Sequence, residues 1–209
     1  MPVGLDTLRT MARVPPEMIR TERLILRRFT RRDVAALEEG VRSSLSELHE
    51  WLPWAHMDYT REDAIAFVRD SIQAWREGKA FDYAIRRRDD PETHVGNISI
   101  WQTSRSGRIG EIGYWIRTDM SGRGYATEAT RALMAVGYDH LGLHKLTLRI
   151  AVGNRGSERV AEKLGFTREG VLREELLIRG NWVDHTLYSM LEGEFRRTRN
   201  TLPNDNGGG

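Results

Sequence analysis

SGRGYATEATRALM, residues 121–134, is the stretch on which the fold turns. Gly122 and Gly124 bracket Arg123, and Ala126, Ala129, Leu133 and Val136 follow at helical spacing. A helix starting here opens with unpaired backbone N–H groups and the positive end of its dipole. Glycines let a phosphate approach that backbone closely, so an anion could be held without metal or lysine. Taken alone, the stretch reads first as a glycine turn capping a core helix and only second as a phosphate site. A Walker loop requires G-x-x-x-x-G-K-[ST], which occurs nowhere in the chain. A dinucleotide fingerprint would want a third glycine where Thr127 stands. It would also want an acid at the end of the next strand, where the chain offers Arg149. An arginine could serve a 2′-phosphate, so this argument weakens the dinucleotide reading without removing it.

The rest of the chain narrows the setting. Its 209 residues suffice for one well-buried core, and two domains would be cramped. The net charge of +2 gives no reason to expect a nucleic-acid partner. Arginines do crowd residues 9–32, as a solvated face or a site for an acidic ligand, but no aromatic residues interleave them for base stacking. The chain has no cysteine, which excludes disulfides, a thiol nucleophile and thiolate metal sites and fits a cytoplasmic protein. No apolar run is long enough to span a membrane. His140 and His144 straddle Gly142, so no zinc pair on one helix, and no metal, is expected.

Hydrophobic periodicity orders the elements. RLILRRF (23–29), FDYAIRRR (81–88), HVGNISIWQ (94–102), EIGYWIR (111–117) and KLTLRIAV (145–152) read as strands. Two more, around 168–178 and 182–191, are joined by a Gly180-Asn181 hairpin turn. Helices are expected from Thr30, across SLSELHEW until Pro53, from a Thr60/Asp63 cap to Gly78, behind Gly124, and over NRGSERVAEKLGF to Gly165. The order β, α, α, α, β, β, β, α, β, α, β, β predicts an α/β (α+β) fold. It is a mixed, mostly antiparallel sheet of about six or seven strands with helices on both faces. Residues 1–20 read as a poorly ordered lead-in, 21–193 as one domain, and 194–209 as a disordered tail.

Gly122-Arg123-Gly124-Tyr125-Ala126 resembles the acyl-CoA signature (Gln/Arg)-x-x-Gly-x-(Gly/Ala) of the GNAT N-acyltransferases, with Ser121 in place of the usual Gln or Arg. About thirty residues on, N-x-x-S-x-x-V-A-E-K-L-G-F (Asn154 to Phe166) is similar to that family's second CoA-side segment. TERLILRRF, HEWLPW, EIGYWI and GNWVDHTLYSM resemble its RimJ/RimL-like branch, and the likeness runs from about residue 21 to 193. The resemblance implies acetyl-CoA as co-substrate, its pyrophosphate held by the backbone of Gly122 to Thr127. The pantetheine arm would lie between EIGYWIR, carrying a bulge, and the KLTLRIAV strand from which it splays. Trp115, Ile116 and Arg117 would lie along that arm. Arg123 is a further phosphate partner or a solvent-facing arginine, and Asn154 a pantetheine contact, a helix cap, or both.

The implied reaction moves an acyl group to a primary amine by direct attack in a ternary complex. It needs a base, an oxyanion site and a proton for the leaving thiolate. An α-amine, near pKa ~8, asks less of the base than a lysine near ~10.4. Backbone N–H groups around Trp115 and Ile116 are the expected oxyanion donors. Glu111 is the candidate base, or a surface carboxylate at a strand end. Ala161 occupies the position of the tyrosine acid found in many members, leaving Ser157, one turn earlier on the same face, as candidate proton donor or simply a polar residue at a helix start. The branch's other glutamate position falls on Leu176, beside Glu175. Asp184 and Glu175 are candidates for substrate contact, as are Trp51 and Trp54, which serve equally as packing residues. The acceptor is expected to be a protein N-terminal α-amine or a small amine such as an amino acid, polyamine or antibiotic. A CoA-binding module without turnover is the rival class, favoured by the departures at Ser121 and Ala161. A monomer or homodimer is implied.

Overall fold

The computed structural model describes residues 14–201, so the expectations for residues 1–13 and 202–209 lie outside the described residues. Eight strands among them form one sheet: β1 (Met18–Arg20), β2 (Leu24–Arg28), β3 (Ala80–Arg87), β4 (His94–Ser104), β5 (Ile109–Ile116), β6 (Lys145–Ala151), β7 (Thr167–Ile178) and β8 (Asn181–Leu191). Their order is β1-β2-β3-β4-β5-β6-β8-β7. Every neighbouring pair is antiparallel except β5 and β6. The helices are α1 (Val34–Arg42), α2 (Leu45–Trp51), α3 (Arg61–Glu77), α4 (Tyr125–Ala135), α5 (Arg155–Leu164) and α6 (Glu192–Thr201). One core packs Ala129 and Leu133 of α4 and Val160 and Leu164 of α5 against Ile98, Ile112 and Leu148. A second packs Leu37, Leu48 and Val68 of α1 to α3 against Phe29, Ala84 and Trp115.

Two expectations at the ends are corrected. The strand beyond the expected six or seven is β1, which falls within the supposed lead-in. Its three residues are too few to show alternation, and it is fixed by tertiary bonds. Met18 pairs with Arg27, and the Tyr83 hydroxyl donates to the Pro16 carbonyl at 2.9 Å. Residues 192–201, expected largely as tail, form α6. Phe195 there is buried and stacks on Tyr138 with ring centroids 4.8 Å apart. Arg199 pairs with Asp139 at 2.7 Å.

Three of the N-terminal arginines bond within the chain. Arg23 pairs with Glu128, Arg28 with Glu17, and Arg27 with Asp33. Asp33 is 1% exposed and sits at the entry to α1. It accepts from Arg27 at 2.5 Å, Arg86 at 2.8 Å and the Thr30 N–H at 2.7 Å. Burial alone would raise its pKa, but the bonds from Arg27 and Thr30 outweigh it and hold the carboxyl below the usual aspartate range. Because the folded-state pKa is depressed, the stabilisation is complete above the unfolded value, near ~3.9. It is lost as pH falls through the folded value. Asp33→Asn leaves two arginines without their charge partner and is expected to cost about 3 kcal/mol at neutral pH. That difference should shrink in acid, as urea titrations at both pH values would register.

The junction of β5 and β6 positions the site. These strands pair only at Ile109–Lys145, Gly110–Leu146 and Glu111–Thr147, and then part. The expected bulge in EIGYWIR is not where the sheet is irregular. Residues 110–116 of β5 keep unbroken register with β4, and the shift falls on β4 between Gln102 and Ser104. The opening therefore comes from β6 leaving β5 at the Glu111 rung, not from an extra residue in β5. No helix among the described residues is long and apolar enough to cross a membrane.

Candidate active site

Alternation in a strand sends successive side chains to opposite faces, yet Glu111 through Ile116 all line one cavity of about 1500 Å³. Leu148 through Ala151 line it from β6. A cavity touched by both faces of two diverging strands passes through the sheet at their parting. One side is walled by α4 and α5, the other by α1 to α3 and the face of β4 bearing Asn97, Ser99 and Trp101.

At the first side stands the loop that opens α4. Gly122 and Gly124 have φ of 76° and 81°, left-handed values that favour glycine. A Cβ on Gly122 would meet nothing within 4 Å, so ligand can reach the loop backbone. Gly122, Gly124, Tyr125, Ala126 and Thr127 line the cavity. Arg23 props the loop from behind, donating to the Arg123 carbonyl at 3.0 Å and lying 5.0 Å over the Tyr125 ring. Asn154 caps α5, accepting from the Ser157 N–H at 3.1 Å, and both residues line the cavity. Arg155, Arg159 and Lys163 add positive charge from α5.

Glu111 stands at the apex of the opening, only 7% exposed. Burial pushes its carboxyl up, and the Arg149 guanidinium, 2.9 Å away, opposes that shift. The N–H of Arg117 bonds the Val95 carbonyl of β4. Alternation in the regular register then turns the N–H of Trp115 toward β4, and those of Tyr114 and Ile116 toward the opening. Trp51 and Trp54 line the far wall, with Trp54 42% exposed and 6.3 Å from the Trp115 ring.

Four sequence-selected residues lie outside the lining. Arg117 forks onto Asp119 at 3.1 Å, and Arg123 donates to the Asp119 carbonyl at 3.0 Å. Glu175 holds Arg149 at 2.5 Å. Asp184 accepts from the Glu174 N–H at 2.8 Å, fixing a residue at φ 53° beside an irregularity in β7. Sequence reasoning missed Arg149 as the partner of Glu111, and the α5 cations. It also missed Tyr114, whose hydroxyl is 3.4 Å from the Ser157 carbonyl and whose pKa burial raises to about 12. Alternation offered one signal for Arg149, since it shares a face with Thr147 on β6. Nothing local said which strand it would face.

The model of the Acetyltransferase (GNAT) domain matches residues 23–167, more than half of the chain. The chain belongs to the GNAT acetyltransferase family. Its activity class is N-acetyl transfer, and this GNAT domain falls in the RimJ/RimL-like branch. It is 29% identical to the N-acetyltransferase YoaA of Bacillus subtilis, over 84% of this chain and 97% of that protein. It is 25% identical to the ribosomal-protein-serine acetyltransferase of Escherichia coli, over 82% and 94%. The solved structure of Mycobacterium smegmatis RimJ in complex with CoA-disulfide superimposes with a TM-score of 0.73 at 25% identity, covering 82% of this chain and 83% of that one.

Proposed function

We propose that this GNAT domain transfers the acetyl group of acetyl-CoA to a primary amine by direct attack, the acceptor being a protein N-terminal α-amine of the ribosomal-protein type. The observation that carries this reading is the through-sheet cavity. It joins an open, glycine-lined helix N-terminus on one side to a buried carboxylate at the strand parting. The α4 N-terminus and the α5 cations suit a polyphosphate, and the opening is where an extended thiol arm can bond strand backbone. A relative named for ribosomal-protein-serine acetylation supports the choice of acceptor.

In this reading Glu111 takes the proton of the attacking amine as the C–N bond forms. The N–H groups of Tyr114 and Ile116 are aimed to receive the oxyanion, with Trp115 packing beneath. The C–S bond then breaks, and the Ser157 hydroxyl supplies the thiolate proton. The GNAT domain is proposed to work in the cytoplasm, as monomer or homodimer.

Thiol release from acetyl-CoA, measured over a panel of N-terminal peptides and small amines, tests the function. Peptide turnover exceeding that of free amino acids and polyamines supports it, and the reverse order favours a small-amine enzyme. Tight CoA binding with turnover on no amine would identify a non-catalytic module. Ser157→Ala is expected to lower kcat about tenfold or more while CoA affinity, by calorimetry, changes less than twofold. Equal loss of both would make Ser157 a structural residue.

A further inference from the structure

Glu111, Arg149 and Glu175 form a chain of charges across three strands at the point where the sheet opens. β5 and β6 make their last backbone rung at Glu111–Thr147. Arg149 is the next residue on the same face of β6 beyond that rung, so its side chain spans the gap just where backbone pairing stops. Its Nε lies 3.0 Å from Glu111 Oε1 and 2.9 Å from Oε2, and its Nη1 lies 2.5 Å from Glu175 Oε1. Glu175 comes from the irregular part of β7, where register shifts between Leu172 and Leu176 and Asp184 pins the Glu174 N–H. One guanidinium is thus shared between a buried carboxylate and a carboxylate on a bent strand.

We propose that Arg149 is a positioning residue: by bridging Glu111 to Glu175 it fixes the Glu111 carboxylate at the apex of the opening, in the ionised form that accepts the amine proton. This rests on Glu111 being the base. The planar fork matters, because it serves both carboxylates at once from a fixed plane, which a lysine ammonium cannot match. The charged groups facing Glu111 are Arg149 from β6, which favours its ionised form, and Glu175 from β7, which opposes it. His185 of β8 lines the same cavity. Removing either neighbour should therefore move Glu111 in opposite directions.

Two measurements on the full chain test this. Glu111 carboxyl titration is followed by carbon-13 NMR without substrate, and the pH profile of kcat/KM is taken with acetyl-CoA and the best amine of the panel. Arg149→Met should displace both the titration and the acid limb to higher pH. At a pH on that limb, kcat/KM should fall roughly three- to tenfold. Arg149→Lys should recover only part of the loss. Glu175→Gln leaves the guanidinium to Glu111 alone and should displace both curves to lower pH, so the proposal stays testable if Arg149→Met does not fold. Unmoved titration in a folded Arg149→Met or Glu175→Gln protein, with only a lowered Tm, would overturn the proposal and leave Arg149 a structural cross-strand tie. Failure of the base reading looks different: the Glu111 titration shifts as described while the acid side of the kcat/KM profile is unchanged from the parent in Glu111→Gln.

Discussion

Glu111→Gln is expected to lower kcat/KM by about a hundredfold or more and to remove the contribution of Glu111 from the acid side of its pH profile. The substitution keeps size but cannot take a proton, and it leaves Arg149 to pair with Glu175 alone. The base must be ionised to act, so activity in the parent protein is lost as pH falls through the Glu111 pKa. Burial raises that pKa, with Arg149 opposing, so the limb should lie above the range of an exposed glutamate. In the glutamine variant the remaining pH dependence should follow the acceptor amine alone. CoA affinity should be nearly unchanged, because the proposed pyrophosphate site is on the opposite side of the sheet. A parallel loss of CoA binding, or an acid side of the profile unchanged from the parent, would remove Glu111 from the base role.

Gly96→Ala is expected to cost at least about 4 kcal/mol, enough to unfold much of the protein at 37 °C. A Cβ there would lie 2.1 Å from the Trp115 carbonyl oxygen and 2.9 Å from the Ile116 Cα, both backbone atoms that no rotamer change can move aside. Gly96 pairs with Ile116, so β5 can relieve the contact only by leaving β4 at the segment that lines the opening. Soluble variant protein should thus show both a large drop in the urea midpoint and weakened CoA binding. An unfolding free energy within about 1 kcal/mol of the parent would mean the two strands are separable, against the register observed.

Much of this fold could be read in advance because its elements are locally coded. The Thr60/Asp63 capping box and the left-handed Gly78 bound α3 as expected, and Gly165 stops α5. The turn read at Gly122 and Gly124 before a helix is present, and both glycines adopt the left-handed conformation. What failed did so where local signal is weak. β1 has three residues and exists through its rungs with β2, and α6 is held by Phe195 and by ion pairs to Asp139. Arg123, read as a phosphate partner or a solvent-facing arginine, donates to the Asp119 carbonyl, a contact that spacing between two glycines does not announce.

By itself, then, the sequence determined the order of elements from β2 to β8, the glycine loop before α4, and the chemical repertoire: no thiol, a serine in the first turn of α5, an acid near the start of β5. These depend on spacing along the chain, and spacing is local. Tertiary structure alone decided that β6 leaves β5 at Glu111, that the cavity runs through the sheet, and that Arg149 faces Glu111 and Glu175. Those are relations between strands up to sixty-four residues apart, from Glu111 to Glu175. Which side chains meet there depends on register and on where pairing stops, and no periodicity within a strand encodes either.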